Sequence, residues 1–310
     1  MKQPRTDLNS PKFECNKNGF LDYLTTCKNY DVVCPNPWQA VADKVRRANN
    51  FYDYDGAVGE GYACNEDLIL LQKHNENRTN EKHIFALDVA PTPFEGDVFT
   101  AKIIVLSGNP FLSDERNRTD YVKLDYDAKK RITDYSINNL ELNGEMLLDD
   151  KVVNKMRQYW KKKTKNLQGI VGFDSRDIAI IQYVGYPSLE MNNTAQVKRL
   201  KSVEFTRDLI EFIAKYRTDD YCFLIGRKKA IWQPFLQSLF NEQYDKYVVE
   251  LNSSSNQTIS KKNVTDWEKI ESLIHQAHKQ RITETISSLK KDGDNFFAGV
   301  YEKVLKNLET

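Results

Sequence analysis

The sequence has no apolar run approaching the length of a membrane-spanning helix, and residues 1–20 carry no apolar core of a secretion signal. A cytoplasmic or nucleoid-associated chain, neither secreted nor membrane-inserted, is expected. Asn-x-Ser/Thr triplets at Asn77, Asn117 and Asn263 then read as accidents of an Asn-rich sequence rather than glycosylation sites. Cysteine is scarce: Cys15, Cys27, Cys34, Cys64 and Cys222 are widely spaced, and none forms the C-x-x-C pair typical of zinc and iron–sulfur sites. An odd number of thiols without such a pair fits unpaired, mostly buried cysteines. His275 and His278 lie three apart but have no acidic partner at matching spacing, so neither a metal nor a cofactor is expected. An excess of one charge is missing as well. The net charge is +1, so any site for a polyanion must come from local clustering. Gly59 and Gly61 do not follow a strand, which removes a dinucleotide fingerprint. No internal repeat or low-complexity segment is visible.

What remains is a chain of 310 residues, 40% hydrophobic and 29% charged, long enough to bury a full core. Its organising stretch is 99–114, FTAKIIVLSGNPFLSD. Ile103, Ile104, Val105 and Leu106 form a short apolar run of the kind a buried parallel strand needs, and Ser107-Gly108-Asn109-Pro110 stops it. Ligands of open α/β sheets bind beyond the carboxyl ends of strands, which makes this turn a site candidate. A strand-end turn whose Asn satisfies only backbone groups is the plainer alternative.

Further strand-like runs cover 178–181, 221–225 and 247–251, ending respectively in Gly185-Tyr186-Pro187-Ser188, Gly226-Arg227-Lys228-Lys229 and Asn252-Ser253-Ser254-Ser255-Asn256. Helical spacing over 197–216 and 230–240 separates them. The alternation predicts a central four-stranded parallel sheet with right-handed crossovers and four polar loops on one edge. Around it, residues 1–95 read as a helical and loop accessory region. Asn36 caps a helix there, Pro37 takes its first position, and Trp38, Val41, Ala42 and Val45 share one face. Residues 96–264 form the α/β core. Residues 265–310 are C-terminal helices that pack on the core or face a partner, opened by a capping box at Thr265-Asp266-Trp267-Glu268. The polar segment 114–143 is long enough to be functional or to hold hidden structure. The run Lys161-Lys162-Lys163-Thr164-Lys165 reads as a solvated helix face, with phosphate contact as the alternative.

Two of the strand-end loops carry a resemblance. Gly108-Asn109-Pro110 after an apolar strand resembles the first motif of the uracil-DNA glycosylase superfamily, closest to the mismatch-specific branch, where it reads Gly-x-Asn-Pro-Gly. The loop Asn252-Ser253-Ser254 and onward resembles the superfamily's last motif, typically His or Asn, then Pro-Ser, then a nearby Ser. The resemblance spans about residues 91–264 and implies a three-layer α/β sandwich. Departures are visible. Phe111 stands where the mismatch branch has Gly, Ser253 replaces Pro, Asn252 replaces His, and the acidic residue of the classical uracil-excising motif is absent.

The resemblance implies hydrolysis of the N-glycosidic bond of a flipped base, whether uracil, mismatched or modified, in single- or double-stranded DNA, for repair or defence. Asn109 would then hold the attacking water by orientation, since an amide is no general base. Asn252 is the second catalytic candidate, gripping the base or flanking phosphates together with Ser254. Gly108, Pro110, Ser188 and Ser253 complete the substrate-binding set. Phe111 and Tyr186 are candidates to stack on the extruded base, an interaction worth roughly 1–3 kcal/mol per base. Arg227, Lys228 and Lys229 would contact backbone phosphates. The alternatives are a non-catalytic nucleic-acid-binding module of the same fold and an unrelated nucleotide-handling α/β enzyme.

Overall fold

A computed structural model describes residues 11–53, 61–110, 119–148, 150–151, 158–253 and 256–308. In chain order the elements are α1 (Lys17–Cys27), α2 (Pro37–Ala48), α3 (Asn65–Glu76), β1 (Phe94–Glu95), β2 (Ile103–Ser107), α4 (Tyr126–Leu140), α5 (Gln158–Lys163) and β3 (Ile178–Gln182). They continue with α6 (Ala195–Lys198), α7 (Lys201–Tyr216), β4 (Cys222–Ile225), α8 (Lys229–Phe240), α9 (Tyr244–Tyr247), β5 (Val248–Glu250), α10 (Trp267–Lys291) and α11 (Asn295–Asn307). The protein is mixed α/β. Its sheet has five strands in the order β1-β3-β2-β4-β5, one more than the sequence suggests. The addition is the two-residue β1, which follows Pro91 and Pro93, where helix is disfavoured and extended backbone is the default.

The chain forms two compact units that interleave along the sequence rather than following as consecutive blocks. One comprises Met1–Phe94, Gly108–Gly144 and Gln182–Asp219; the other comprises Glu95–Ser107, Glu145–Ile181 and Asp220–Thr310.

The first unit is helical. Asn36 caps α2 by accepting from the Trp38 amide at 3.0 Å, Pro37 opens the helix, and Trp38, Val41, Ala42 and Val45 are fully buried. The polar segment 114–143 contains α4, capped by Asp125 and burying Ile132, Tyr135 and Leu140. A buried carboxylate ties other elements of this unit together. Asp67 on α3 accepts from the amides of Lys201 (2.6 Å) and Ser202 (3.4 Å), supplying the N-terminus of α7 with the cap that Leu200 cannot provide. Burial pushes the Asp67 carboxyl upward, against the hydrogen bonds that favour its ionised form.

The second unit holds the parallel ladder. Ile103, Ile104, Val105 and Leu106 align with Cys222, Phe223, Leu224 and Ile225, and β4 pairs in parallel with β5. One sheet face, with Ile103, Val105, Ile178, Ile180, Leu224 and Val249, packs on Trp267, Ile270, Leu273 and Ile274 of α10. Each such side chain contributes about 1.5–3 kcal/mol by leaving water. The residues pointing the other way, Ile104, Leu106, Phe223 and Ile225, are buried too. Asp266 rather than Thr265 caps α10, accepting from Lys269 at 3.0 Å, because the Thr265 hydroxyl accepts from the Glu250 amide. Arg281 on α10 pairs with the buried Asp177 carboxylate and donates to the Gly172 carbonyl at 2.6 Å. Among the described residues no helix is long and apolar enough to cross a membrane.

Candidate functional site

The turn after β2 lies in the first unit, and its groups are bonded to the loop that follows β3. Gly108 accepts from the Val184 amide at 2.9 Å and Pro110 accepts from the Ser188 amide at 3.2 Å. The Asn109 carboxamide, almost wholly buried, donates from Nδ2 toward the Pro110 carbonyl (2.9 Å), the Ser188 carbonyl (3.0 Å) and Ser188 Oγ (2.9 Å). Two hydrogens serve three acceptors, so one bond is shared. Ser188 Oγ passes the chain on to the Glu190 carbonyl at 3.2 Å. Among the described residues Asn109 Oδ1 has no partner. The turn therefore fixes its Asn from the amino side and leaves its acceptor side as the available function.

Tyr186 is not a platform. Its ring is fully buried, 5.3 Å from Trp38, its hydroxyl donates to Asp67 at 2.9 Å, and the Cys64 amide donates to that hydroxyl at 3.1 Å. Burial drives the Tyr186 hydroxyl well above its ordinary pKa and raises the Cys64 thiol in the same way. Gly185 permits this approach, since a Cβ there would stand 2.6 Å from the Trp38 ring. Ser188 is also buried. An aromatic at a strand end reads alike in sequence whether it faces a ligand or the core, and here the core takes it. Phe111, the other stacking candidate, and Ser254 lie outside the described residues.

The loops after β4 and β5 belong to the second unit and leave paired parallel strands at one edge of the sheet. Asn263, buried, staples the β5 loop. It accepts from the Ser253 amide at 3.0 Å and donates to the Asn256 (2.5 Å) and Thr258 (2.9 Å) carbonyls. Asn252 is exposed. This loop meets the lysine-rich segment at the end of α5: the Ile259 amide donates to the Lys163 carbonyl at 2.9 Å and Asn166 reaches the Ile259 carbonyl at 3.3 Å. Lys163 Nζ stands 5.5 Å from the centre of the Tyr159 ring. Burial raises the Tyr159 hydroxyl, and the positive charge of Arg227, after β4, works against that rise.

Lys163 and Arg227 thus lie near the partly exposed Tyr159, and the backbone bond between Ile259 and Lys163 brings the loop that carries Lys261 and Lys262 to the helix that carries Lys161 and Lys162 and to Lys165 just beyond it. Among the described residues none of these seven cations pairs with a carboxylate. Lys229, by contrast, is held by Glu250, and Lys228 adopts a left-handed backbone (φ 56°) at the start of α8. Lys261 and Lys262 carry no motif of their own. Their only signal in sequence is that they follow a strand-like run whose predecessor, 221–225, ends in the basic loop Gly226-Arg227-Lys228-Lys229. Among the described residues no group of three or more His, Cys, Asp or Glu side chains is arranged to hold a metal ion.

Searches with this chain against protein-family models, characterised proteins and solved structures found no match.

Proposed function

We propose that the chain is a nucleic-acid-binding protein, and that the basic edge of its second unit contacts backbone phosphates. The observation that carries the reading is that Lys163 and Arg227 lie near Tyr159 and the loop with Lys261 and Lys262 is bonded to the lysine-rich helix end, with no carboxylate partner for these cations among the described residues, in a molecule whose net charge is only +1. Charge concentrated this way on one sheet edge suits a polyanion, and an aromatic among the cations suits an unstacked base. Arg227 is the phosphate contact retained from the strand-end set. Lys229 is committed to Glu250 and contributes less. The three-layer sandwich implied by the glycosylase resemblance belongs to this proposal, supported by the burial of β2, β3 and β4 along their whole length.

A second reading, a glycosylase-like hydrolase acting on a flipped base, is favoured by one feature. The Asn109 carboxamide is clamped in a single orientation with its carbonyl side unpartnered among the described residues, which is what orienting a water requires. On this reading Asn109 positions the water.

One experiment tests both. The protein is titrated against single- and double-stranded DNAs carrying uracil, mismatches or modified pyrimidines, binding is followed by fluorescence anisotropy, and abasic products are scored by alkaline cleavage. Salt-sensitive binding without abasic product supports the binding protein. Abasic product that vanishes in Asn109→Ala while binding persists supports the hydrolase. Absence of both sinks both readings, and competition by free nucleotides instead points to a nucleotide-handling enzyme.

A further inference from the structure

Three segments of the second unit, 158–173, 225–241 and 251–265, carry nine Lys and Arg residues and not one Asp or Glu. Among them stands one accessible ring. Outside α11, Tyr159 is the exposed aromatic of this unit among the described residues, whereas Trp160, Trp232 and Trp267 are buried. Trp160, the next residue on α5, sits in the core shared by the sheet and α10 and anchors that turn. Its ring crosses the Tyr159 ring at 85° with centres 5.0 Å apart, so it braces that ring without stacking on it. Lys163, four residues on, falls on the same helix face and holds its ammonium 5.5 Å from the ring centre. The Tyr159 hydroxyl has no hydrogen-bond partner among the described residues, and burial raises its pKa, with the Arg227 charge working the other way.

We propose that this edge takes single-stranded nucleic acid in preference to duplex, one base lying against the Tyr159 ring and the adjoining phosphates against Lys163 and Arg227. The preference rests on the nucleic-acid reading of the same edge and adds the form of the polymer. Cations alone do not choose. Duplex and single strand both offer phosphates, and contacts to them position a polymer without reading it. The ring does choose. In a duplex each base face is covered by its neighbours, so a surface tyrosine has nothing to stack on, whereas a single strand presents unstacked faces. A tyrosine has only two torsions to fix, so ordering it against a base costs little. The Lys163 ammonium is no obstacle, because a base stack is worth more than a cation over an exposed ring. Once displaced, its long side chain still reaches the phosphate beside that base. The partly desolvated Tyr159 hydroxyl, lacking a protein acceptor among the described residues, adds a donor for a base carbonyl or a phosphate oxygen.

Fluorescence anisotropy on the full chain, with a labelled DNA strand of about 20 nucleotides and its blunt duplex at one salt concentration, is expected to show about tenfold or tighter preference for the strand. Tyr159→Ala is expected to weaken strand binding about 5- to 100-fold and to leave duplex binding within about twofold, with the circular-dichroism spectrum unchanged. Tyr159→Phe, which keeps the ring and drops the hydroxyl, is expected to stay within about threefold of the parent on the strand. Tyr159→Leu, which fills the space without a π face, is expected to behave like Tyr159→Ala. An RNA strand of the same sequence, measured alongside, identifies which polymer is held more tightly, and sensitivity of either to Tyr159→Ala supports the proposal. Equal affinity for strand and duplex overturns the preference while leaving the nucleic-acid reading standing, and so does a Tyr159→Ala variant that weakens both alike or neither. Absence of binding to strand and duplex overturns both.

Discussion

The loop after β2 and the loops after β4 and β5 leave paired strands, yet they are built in opposite ways. The first turns inward: Gly108, Asn109 and Pro110 direct their polar groups at residues 184–188, and the neighbouring Tyr186 hydroxyl ends on the buried Asp67. The others spend backbone bonds and Asn263 on their own conformation, and Arg227, Lys261 and Lys262 have no carboxylate partner among the described residues. A strand-end position therefore does not by itself make a residue available to a ligand. The partners of its side chain decide that, and buried polar groups are too costly to leave unpaired.

The largest expected effect breaks the inward half. Asp67→Ala removes the acceptor for the Tyr186 hydroxyl and the amides of Lys201 and Ser202, stranding three buried donors. A loss of about 3 kcal/mol in urea unfolding is expected. A loss below about 1 kcal/mol would mean that the network is not what holds this unit together.

Next comes the outward half. Charge reversal at Lys162, Arg227 and Lys262 together is expected to weaken binding to DNA about 100-fold at low salt and to flatten its salt dependence. Stability should stay within about 0.5 kcal/mol of the parent, because these side chains have no carboxylate to lose. Unchanged affinity would remove this edge as the binding surface.

Asn109→Ala separates the two halves at the residue the glycosylase resemblance singles out. Losing the bonds to Ser188 is expected to cost about 1–2 kcal/mol, largely shared with Ser188→Ala in a double-mutant cycle. If binding falls as much as in the charge-reversal variant, the inward loop is a nucleic-acid contact after all and the contrast between the loops fails.

Much of this was legible in the sequence, for identifiable reasons. Short apolar runs closed by Gly, Asn or Pro mark β2, β3 and β4, and the Asn36-Pro37 start with apolar spacing marks α2, because local geometry favours those choices. The two-residue β1 was not legible, since so short a strand has no period. The inward turn of Tyr186 and Ser188 was not legible either. For Tyr186 it depends on Asp67 and Trp38, over a hundred residues away in the chain, and for Ser188 on Asn109, 79 residues away. The basic edge is half visible: Arg227 stands at a strand end, whereas Lys161 to Lys163 read in sequence as a solvated helix face, and nothing there signals that the loop at Ile259 is bonded to Lys163.

The smallest expected effect contrasts two carboxylates rather than two loops. Asp174, in the second unit, caps the turn before β3, and the Arg176 guanidinium bonded to it holds its pKa at about 2, against an ordinary 3.8. A depressed acid contributes stability that is fully present above its unfolded value and lost as pH falls through its folded one. The Asp174 contribution should therefore disappear between pH 3.8 and about 2. With Asp174 a third exposed and Arg176 largely exposed, solvent screening reduces it to about 1 kcal/mol. Asp67 runs the other way: its raised pKa gives a contribution present below 3.8 and lost as pH rises through the folded value. Parent and Asp174→Asn unfolding curves should thus converge on acidification, whereas Asp67→Asn should differ most from the parent in how stability changes above pH 3.8. If instead the Asp174→Asn difference persists at pH 2, the ion pair is incidental and the cap geometry alone sets the stability of that turn.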